Sequence, residues 1–189
     1  MITKSKIDEI DISGLTDILS RIFGDTVWDD DAGRTAERWL QAMMEFAPGG
    51  EMPFKFTTFP AVANEMIVAV DIEFASLCAH HLFPYAGKCH VGYLPNELQV
   101  GISKIPRLVH WMAARPTSQE KLTHDVASFM KHSLAAQGVA VVIEATHTCM
   151  ACRGIREHNA SMKTSDMMGI FLTASEARNE FLTLVGRSK

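Results

Sequence analysis

Two short segments of the sequence concentrate thiols and imidazoles, side chains that bind transition metals or move protons near neutral pH. Residues 78–81 contain one cysteine and two adjacent histidines, and a second segment contains His147, Cys149 and Cys152. Three protein ligands of mixed sulfur and nitrogen type, with a fourth position left to water, are typical of a catalytic zinc site. The two segments therefore predict a metal centre with an imidazole beside it.

Other interpretations of these residues remain open at this point. Cysteines and histidines are often buried as ordinary core residues. Cys149 and Cys152 form a C-x-x-C, which is also typical of a redox pair or of a four-ligand structural zinc site. A strand-like run precedes this motif and no β-α-β pattern follows it, which argues against a thioredoxin-type site. In a reducing compartment, metal binding or catalysis is a commoner use of cysteine than a disulfide framework.

Alternating hydrophobic residues indicate that a strand leads into each segment. Residues 68–74 alternate between apolar and polar types, which is the period of a half-buried strand ending just before Cys78. Residues 139–147 are β-branched and alternating, so Val141 shares a face with His147. If the extended conformation continues, Cys149 lies on that face too. Two strand ends would then each deliver a cysteine and a histidine.

The remaining patterns predict an α+β domain with a largely antiparallel sheet and packed helices. Thr117-x-x-Glu120 has the spacing of a capping box at the start of one helix. The other expected elements are helices over residues 12–23, about 31–47, 103–114 and 117–138, strands over 90–94 and 168–172, and a C-terminal helix. A helical N-terminal segment (residues 1–60) would precede the main domain (residues 61–189).

Composition limits the classes of function. The chain has 189 residues, 47% of them hydrophobic, which suits one globular domain with a small appendage. A formal charge of -4 does not favour a nucleic-acid partner. No apolar run approaches the roughly 18 residues that span a bilayer, and the first residues do not form a signal peptide. We therefore expect a cytoplasmic protein with no membrane partner.

Four blocks of the sequence resemble the GTP cyclohydrolase I family in residue type, order and spacing. The blocks are Cys78-x-His80-His81, Gly101-Ile102-Ser103-Lys104-x-x-Arg107, Arg115-Pro116-x-x-Gln119-Glu120-x-Leu122-Thr123 and His147-x-Cys149-Met150-x-x-Arg153-Gly154. Each block alone is weak, whereas the set is highly specific, and the likeness runs from about Thr35 to Leu184. The resemblance implies a tunnelling fold (T-fold) and a homodecamer of two stacked five-membered rings, with active sites at subunit interfaces.

The resemblance also implies a role for each matching residue. The zinc (Zn²⁺) ligands would be Cys78, His81 and Cys149, and the acid–base imidazoles would be His80 and His147. The substrate-binding residues would be Arg38, Ser103, Lys104, Arg107, Gln119, Glu120 and Arg153. Among these, Glu120 would accept hydrogen bonds from guanine, and the cationic side chains would bind the triphosphate. Taken alone, these cations are typical of a solvated surface, Ser103 could be a helix cap, and Glu120 could belong to the capping box.

The implied reaction is hydrolysis of GTP. Zinc can lower the pKa of a bound water towards about 7, which suits attack on C8 of guanine while an imidazole protonates N7. Release of formate and rearrangement of the ribose would give 7,8-dihydroneopterin triphosphate. Two alternatives are a related purine or pterin enzyme of the T-fold, similar to preQ0 reductase or pyruvoyl-tetrahydropterin synthase, and a non-catalytic protein stabilised by zinc.

Three positions depart from the family pattern. Ala79 stands where the family usually has a glutamate between the cysteine and the two histidines. Ala36 replaces the proline of the usual Thr-Pro-x-Arg, and Gln41 stands where a lysine often follows. No proposed zinc ligand is lost.

Overall fold

The computed structural model of the chain describes residues 12–24, 32–47 and 51–186. It divides into two compact units, residues 1–51 and residues 52–189. The first unit contains helices α1 (Ile12–Phe23) and α2 (Ala32–Glu45), which pack against each other. These match the helices predicted there, apart from the predicted start of α2 at residue 31, which lies outside the described residues. Gly24 ends α1 in the left-handed conformation, with φ 69°.

A five-stranded sheet forms the centre of the second unit, with strand order β5-β2-β3-β6-β7. The strands are β1 (Thr58–Pro60), β2 (Ile67–Cys78), β3 (Pro84–Leu94), β4 (Leu98–Val100), β5 (Pro116–Thr117), β6 (Gly138–His147) and β7 (Met162–Gly169). The neighbours β2, β3, β6 and β7 are antiparallel, and the short β5 pairs with β2 in parallel. Strands β1 and β4 form a separate antiparallel pair. The structure thus confirms the predicted α+β class with an antiparallel sheet.

Within residues 51–186, five helices accompany the sheet. They are α3 (Lys104–Ala113), α4 (Gln119–Leu134), α5 (Thr148–Ala151), α6 (Ile170–Thr173) and α7 (Ser175–Gly186). The apolar residues of α3 and α4 join those of the strands in the main core, where Leu108 of α3 and Met130 of α4 are fully buried together with Val141 and Ile143 of β6. Across residues 12–24, 32–47 and 51–186, no helix is both long enough and apolar enough to span a bilayer.

Several helix and strand ends differ from the sequence prediction; for example, β3 begins at Pro84 and not at residue 90. Helix α4 stops at Leu134, where Ala135 adopts the left-handed conformation (φ 44°), and Gly138 belongs to β6 instead of ending the helix. The last strand was expected over residues 168–172 but occupies Met162–Gly169. Gly169 has φ 61°, and a Cβ there would lie 2.1 Å from the Gln137 carbonyl oxygen, so the chain turns directly into α6.

Helix α7 packs closely against the sheet at Gly92 of β3. Phe181 of α7 is fully buried with Phe171 and Ala140, in a second apolar cluster. A Cβ added at Gly92 would lie 2.5 Å from Cδ2 of the Phe181 ring, which is closer than side-chain carbons pack. The absence of a side chain at Gly92 is therefore what allows the ring to reach the strand.

We expect Gly92→Ala to lower the free energy of unfolding by about 1–3 kcal/mol, because the added methyl overpacks against Phe181. Urea unfolding, followed by circular dichroism, measures the loss. The matched control is Gly186→Ala, since nothing lies within 4 Å of a Cβ at that position. An equal loss in both variants would show that close packing at Gly92 is not the cause.

Candidate active site

Strand β3 brings the ends of β2 and β6 together. Its residue Tyr85 is the register partner of Ser76 in β2 on one side and of His147 in β6 on the other. Cys78 lies two residues beyond Ser76 and is the last residue of β2. The two segments with thiols and imidazoles, separated by about 70 residues in sequence, therefore meet at one end of the sheet.

The structure gathers two thiols and one imidazole at this point. The side-chain ligand atoms of Cys78, His147 and Cys149 all lie within 4.8 Å of one another. Cys78 is buried, whereas His147 and Cys149 are half-buried. Burial and the neighbouring Cys78 thiol raise the pKa of Cys149, and the positive charge of Arg153 opposes that shift. All four cysteines are free.

The donor set fits a zinc ion. Soft thiolates together with an imidazole are the ligands that zinc prefers in proteins. Burial and the neighbouring Cys78 destabilise the charged form of Cys149, and a bound cation would remove that cost. The chemistry of the described residues therefore agrees with the metal centre predicted from the sequence.

Cys149 reaches the cluster by a different route from the predicted one. The extended conformation was expected to continue through residue 149, but β6 ends at His147 and Thr148–Ala151 forms a helical turn, α5. The Thr148 hydroxyl donates a hydrogen bond to the Pro84 carbonyl oxygen at 2.6 Å, which ties this turn to the start of β3. The turn, and not the alternation of a strand, directs the thiol.

His80 and His81 lie in the tight turn that follows β2. The Leu82 N–H donates to the Cys78 carbonyl at 2.8 Å, and Leu82 has a positive φ of 55°. His80 Nδ1 lies 3.6 Å from Cys78 Sγ. Both imidazoles are exposed and line the same cavity. Among the described residues, the group of three close ligand atoms contains His147 and not His81, so the ligand role of His81 stays a prediction.

The His147 ring is held on its face and on its edge. It stacks on the Tyr85 ring, with centroids 4.4 Å apart and an interplanar angle of 3°. His147 Nε2 lies 2.9 Å from the amide oxygen of Gln119, the first residue of α4. Burial lowers the pKa of His147, and the carboxylate of Glu120 opposes that shift. The imidazole is thereby kept neutral to lower pH than in water.

A cavity of about 550 Å³ opens over these side chains. Seven residues predicted for the site line it, namely Cys78, His80, His81, Gln119, Glu120, His147 and Cys149. Five further lining residues were missed, namely Ser118, Met150, Ser161, Met162 and Lys163. Ser161 to Lys163 were missed because the last strand was placed too late in the sequence; residues 162–169 have no regular alternation of apolar and polar types that would locate it.

The structure contradicts the capping box predicted at Thr117-x-x-Glu120. Ser118 is the N-cap of α4, and its hydroxyl accepts a hydrogen bond from the Lys121 N–H at 3.2 Å. Thr117 is instead buried in β5, paired with Cys78. The Glu120 side chain is exposed at the cavity and, within the described residues, takes part in no hydrogen bond. The capping role that competed with guanine binding is therefore removed.

The predicted triphosphate residues do not line the cavity, although the charge of Arg153 acts on Cys149. Of the described residues, those lining the cavity do not include Ser103, Lys104, Arg107 or Arg153. Ser103 precedes α3 without a side-chain capping bond, and Lys104 Nζ lies 5.9 Å from the centroid of the Phe54 ring. The exposed Arg38 belongs to α2, in the first unit. Within the second unit, the cavity is therefore lined without Ser103, Lys104, Arg107 or Arg153.

Comparisons with known proteins agree with the four sequence blocks. The sequence matches the model of the GTP cyclohydrolase I family over residues 13–186. It is 48% identical to GTP cyclohydrolase 1 of Methylococcus capsulatus over 129 residues, which are 68% of this chain and 70% of that protein. Identity to GTP cyclohydrolase 1 of Pseudoalteromonas translucida is 41% over 155 residues, covering 80% and 84% respectively. A solved structure of the archaeosine synthase QueF-Like in the apo form aligns with a TM-score of 0.46 at 14% identity, covering 55% of this chain and 93% of that chain.

Proposed function

This chain belongs to the GTP cyclohydrolase I family, with its T-fold, and we propose that it hydrolyses GTP at C8 and releases formate. Rearrangement of the ribose then gives 7,8-dihydroneopterin triphosphate. The observation that carries the proposal is the cavity of about 550 Å³, which brings a free carboxylate, two thiols and three imidazoles to one place. Its volume is within the range of small-molecule sites.

Glu120 is proposed to select guanine. Its exposed carboxylate can accept hydrogen bonds from N1–H and the 2-amino group of guanine at the same time. Adenine offers an unprotonated N1 at that position, so a carboxylate would face a lone pair. A polar group that the bound substrate covers and leaves unpaired in this way can reject the wrong substrate by a factor of roughly 10⁴. We therefore expect ATP not to be a substrate.

His80 and His147 are proposed to move protons during ring opening. Both imidazoles line the cavity, and burial lowers the pKa of His147, so its neutral form can accept a proton at neutral pH. One imidazole protonates N7 of the purine as water adds to C8 and the imidazole ring opens, and the other accepts a proton from the attacking water. A second water then hydrolyses the remaining C8–N bond and releases formate. When bound, Zn²⁺ supplies a Lewis acid that makes water more acidic.

Cys78, His81 and Cys149 are proposed to hold the metal. The two thiols lie within 4.8 Å of each other, and the exposed His81 lines the same cavity. Within the described residues the His81 ring forms no hydrogen bond, so it can turn towards the sulfurs. His147, by contrast, is already held by Tyr85 and Gln119. A cytoplasmic location, in which free thiols stay reduced, belongs to the same proposal.

We expect Cys149→Ala and His81→Asn to lose the metal, whereas His147→Asn keeps it and loses activity. A methyl cannot replace a thiolate ligand, and zinc sites of three ligands tolerate no further loss. Elemental analysis by plasma mass spectrometry, read as zinc per chain, measures the outcome. Zinc retained in His81→Asn but lost in His147→Asn would transfer the ligand role to His147.

The triphosphate is proposed to bind at an interface between copies of the chain. Ser103, Lys104, Arg107 and Arg153 lie outside the cavity lining of their own chain, although a triphosphate needs cations close to the purine site. A neighbouring subunit can supply them, as the family's ring assembly implies. Arg38, in the first unit, is proposed to bind the triphosphate as well.

We therefore expect a homodecamer, with a mass ten times the 20.9 kDa of the chain. Multi-angle light scattering measures that mass, and dilution below the assembly threshold should remove activity because the site is shared. Mixing two variants, Arg107→Ala and Glu120→Gln, gives a control, because a site shared between chains can then draw an intact Arg107 from one chain and an intact Glu120 from the other. Partial recovery on mixing supports shared sites, and a fully active monomer contradicts them.

Incubation with GTP tests the proposed function directly. We expect the wild-type protein to release formate and give a pterin that fluoresces after oxidation. Glu120→Gln should stay folded and metal-loaded but lose about 10- to 100-fold in kcat/KM, since a hydrogen bond to a charged group contributes about 1.5–3 kcal/mol. Asp125→Asn is the matched control, because Asp125 lies on the same helix, pairs with Lys121 and does not line the cavity.

Two outcomes would contradict the proposal. Zinc-loaded wild-type protein that releases no formate would favour the non-catalytic, zinc-stabilised alternative. Normal turnover by Glu120→Gln would mean that guanine is anchored elsewhere. Turnover of a different purine or pterin in place of GTP would favour the other T-fold enzymes.

A further inference from the structure

Gln119 is an almost fully buried polar residue directly beneath the cavity. Its side chain belongs to the first residue of α4, and the residue is 1% exposed. A buried amide stabilises a fold only when its donors and acceptor are satisfied. The partners of this amide therefore decide what Gln119 can do.

The amide nitrogen of Gln119 is surrounded by acceptors from two strands. It lies 3.1 Å from the Ile143 carbonyl oxygen of β6 and 2.9 Å from the Met162 carbonyl oxygen of β7. The Thr164 hydroxyl is a third neighbour at 3.1 Å. Backbone carbonyls accept hydrogen bonds and cannot donate them, so the nitrogen of the amide must face the strands. The oxygen of the amide must then face His147.

This orientation fixes which ring nitrogen of His147 carries the proton. The Gln119 amide oxygen is an acceptor only, and it lies 2.9 Å from His147 Nε2. A hydrogen bond forms there only if Nε2 carries hydrogen. In a neutral imidazole the lone pair is then on Nδ1, because the bond made by one ring nitrogen sets the state of the other.

A second contact fixes the plane of the same ring. Tyr85, which is 1% exposed, stacks on the imidazole at a centroid distance of 4.4 Å. The stacking prevents tilting, and the in-plane hydrogen bond from Nε2 prevents a ring flip that would exchange the two nitrogens. The imidazole is held in one orientation and one tautomer before any substrate enters.

We propose that Gln119 is a positioning residue that holds His147 as the Nε2–H tautomer with Nδ1 free, and is not a contact to the substrate. The two amide hydrogens of Gln119 are already shared among three acceptors, which leaves no donor for a purine. The inference rests on the proposed function only in taking His147 to be a reacting group. It changes the role that the family resemblance implied for Gln119.

The tautomer can be measured without activity. Magic-angle spinning NMR of metal-loaded protein with ¹⁵N-labelled histidine separates protonated from bare ring nitrogens by chemical shift, and His147→Asn identifies the signals of His147. We expect hydrogen on Nε2 in the wild-type protein. Hydrogen on Nδ1 alone would overturn the proposal, and this result would come from the wild-type protein and so would not depend on whether a variant folds.

Gln119→Met tests the role in turnover, since methionine has a similar size and no amide. We expect mixed His147 tautomers and a fall in kcat on the order of 10- to 100-fold, which is usual when the partner of a site histidine is removed. KM should stay within about twofold, because no substrate contact is lost. A raised KM with unchanged kcat would show a substrate contact and overturn the proposal.

Thr123→Val is the matched structural control. Thr123 is buried, donates to the Gln119 carbonyl oxygen at 2.7 Å and lies 2.6 Å from the Thr164 hydroxyl, but it does not touch His147. It should lower the melting temperature while keeping the Nε2–H tautomer and kcat. An equal loss of kcat in Thr123→Val would show a merely structural effect.

If wild-type protein fails to convert GTP, the proposed function fails, while the NMR comparison still tests the inference.

Discussion

The register of strand β3 between its two neighbours is the constraint on which the rest of the site depends. Tyr85 pairs with Ser76 on one side and with His147 on the other, so the ends of β2 and β6 lie side by side. Side chains alternate between the faces of a strand, and a slip of one residue would turn His147 away from Cys78. The fully buried residues of β3 and β6, including Val91 and Val141, oppose such a slip because it would remove them from the main core.

Buried polar groups add a second level of order to that register. Gln119 connects the first turn of α4 to β6 and β7, and Thr123 joins Thr164 one turn later. In an interior of low dielectric, a hydrogen bond is strong and a missing partner is costly. The network therefore admits one arrangement of helix and strands, and that arrangement also orients the His147 imidazole. Packing and chemistry depend on the same few amide and hydroxyl groups.

The sequence predicts the long strands and helices of this protein better than its turns. Alternation locates the strands that end at Cys78 and His147, and these residues do meet. Cys149 was expected on an extended strand and lies in a helical turn, because the Thr148 hydroxyl bonds to Pro84, a contact invisible in the local pattern. At the start of α4 both Thr117 and Ser118 can cap a helix; pairing of Thr117 with β2 decides in favour of Ser118. Tertiary contacts determine these details, and the spacing of apolar residues in the sequence carries no information about them.

The connection between β3 and β6 has a consequence for the order of folding. Residues 95–137, which include α3 and α4, lie between the two strands, so their pairing closes a long loop. Loop closure costs entropy before its contacts form, and non-local strand pairing is correspondingly slow. Until β6 pairs with β3, no contact holds Cys78 and Cys149 close together in space, and no metal site exists. Binding of a metal by both thiols would thus report the completed sheet, and its free energy would add to that of folding.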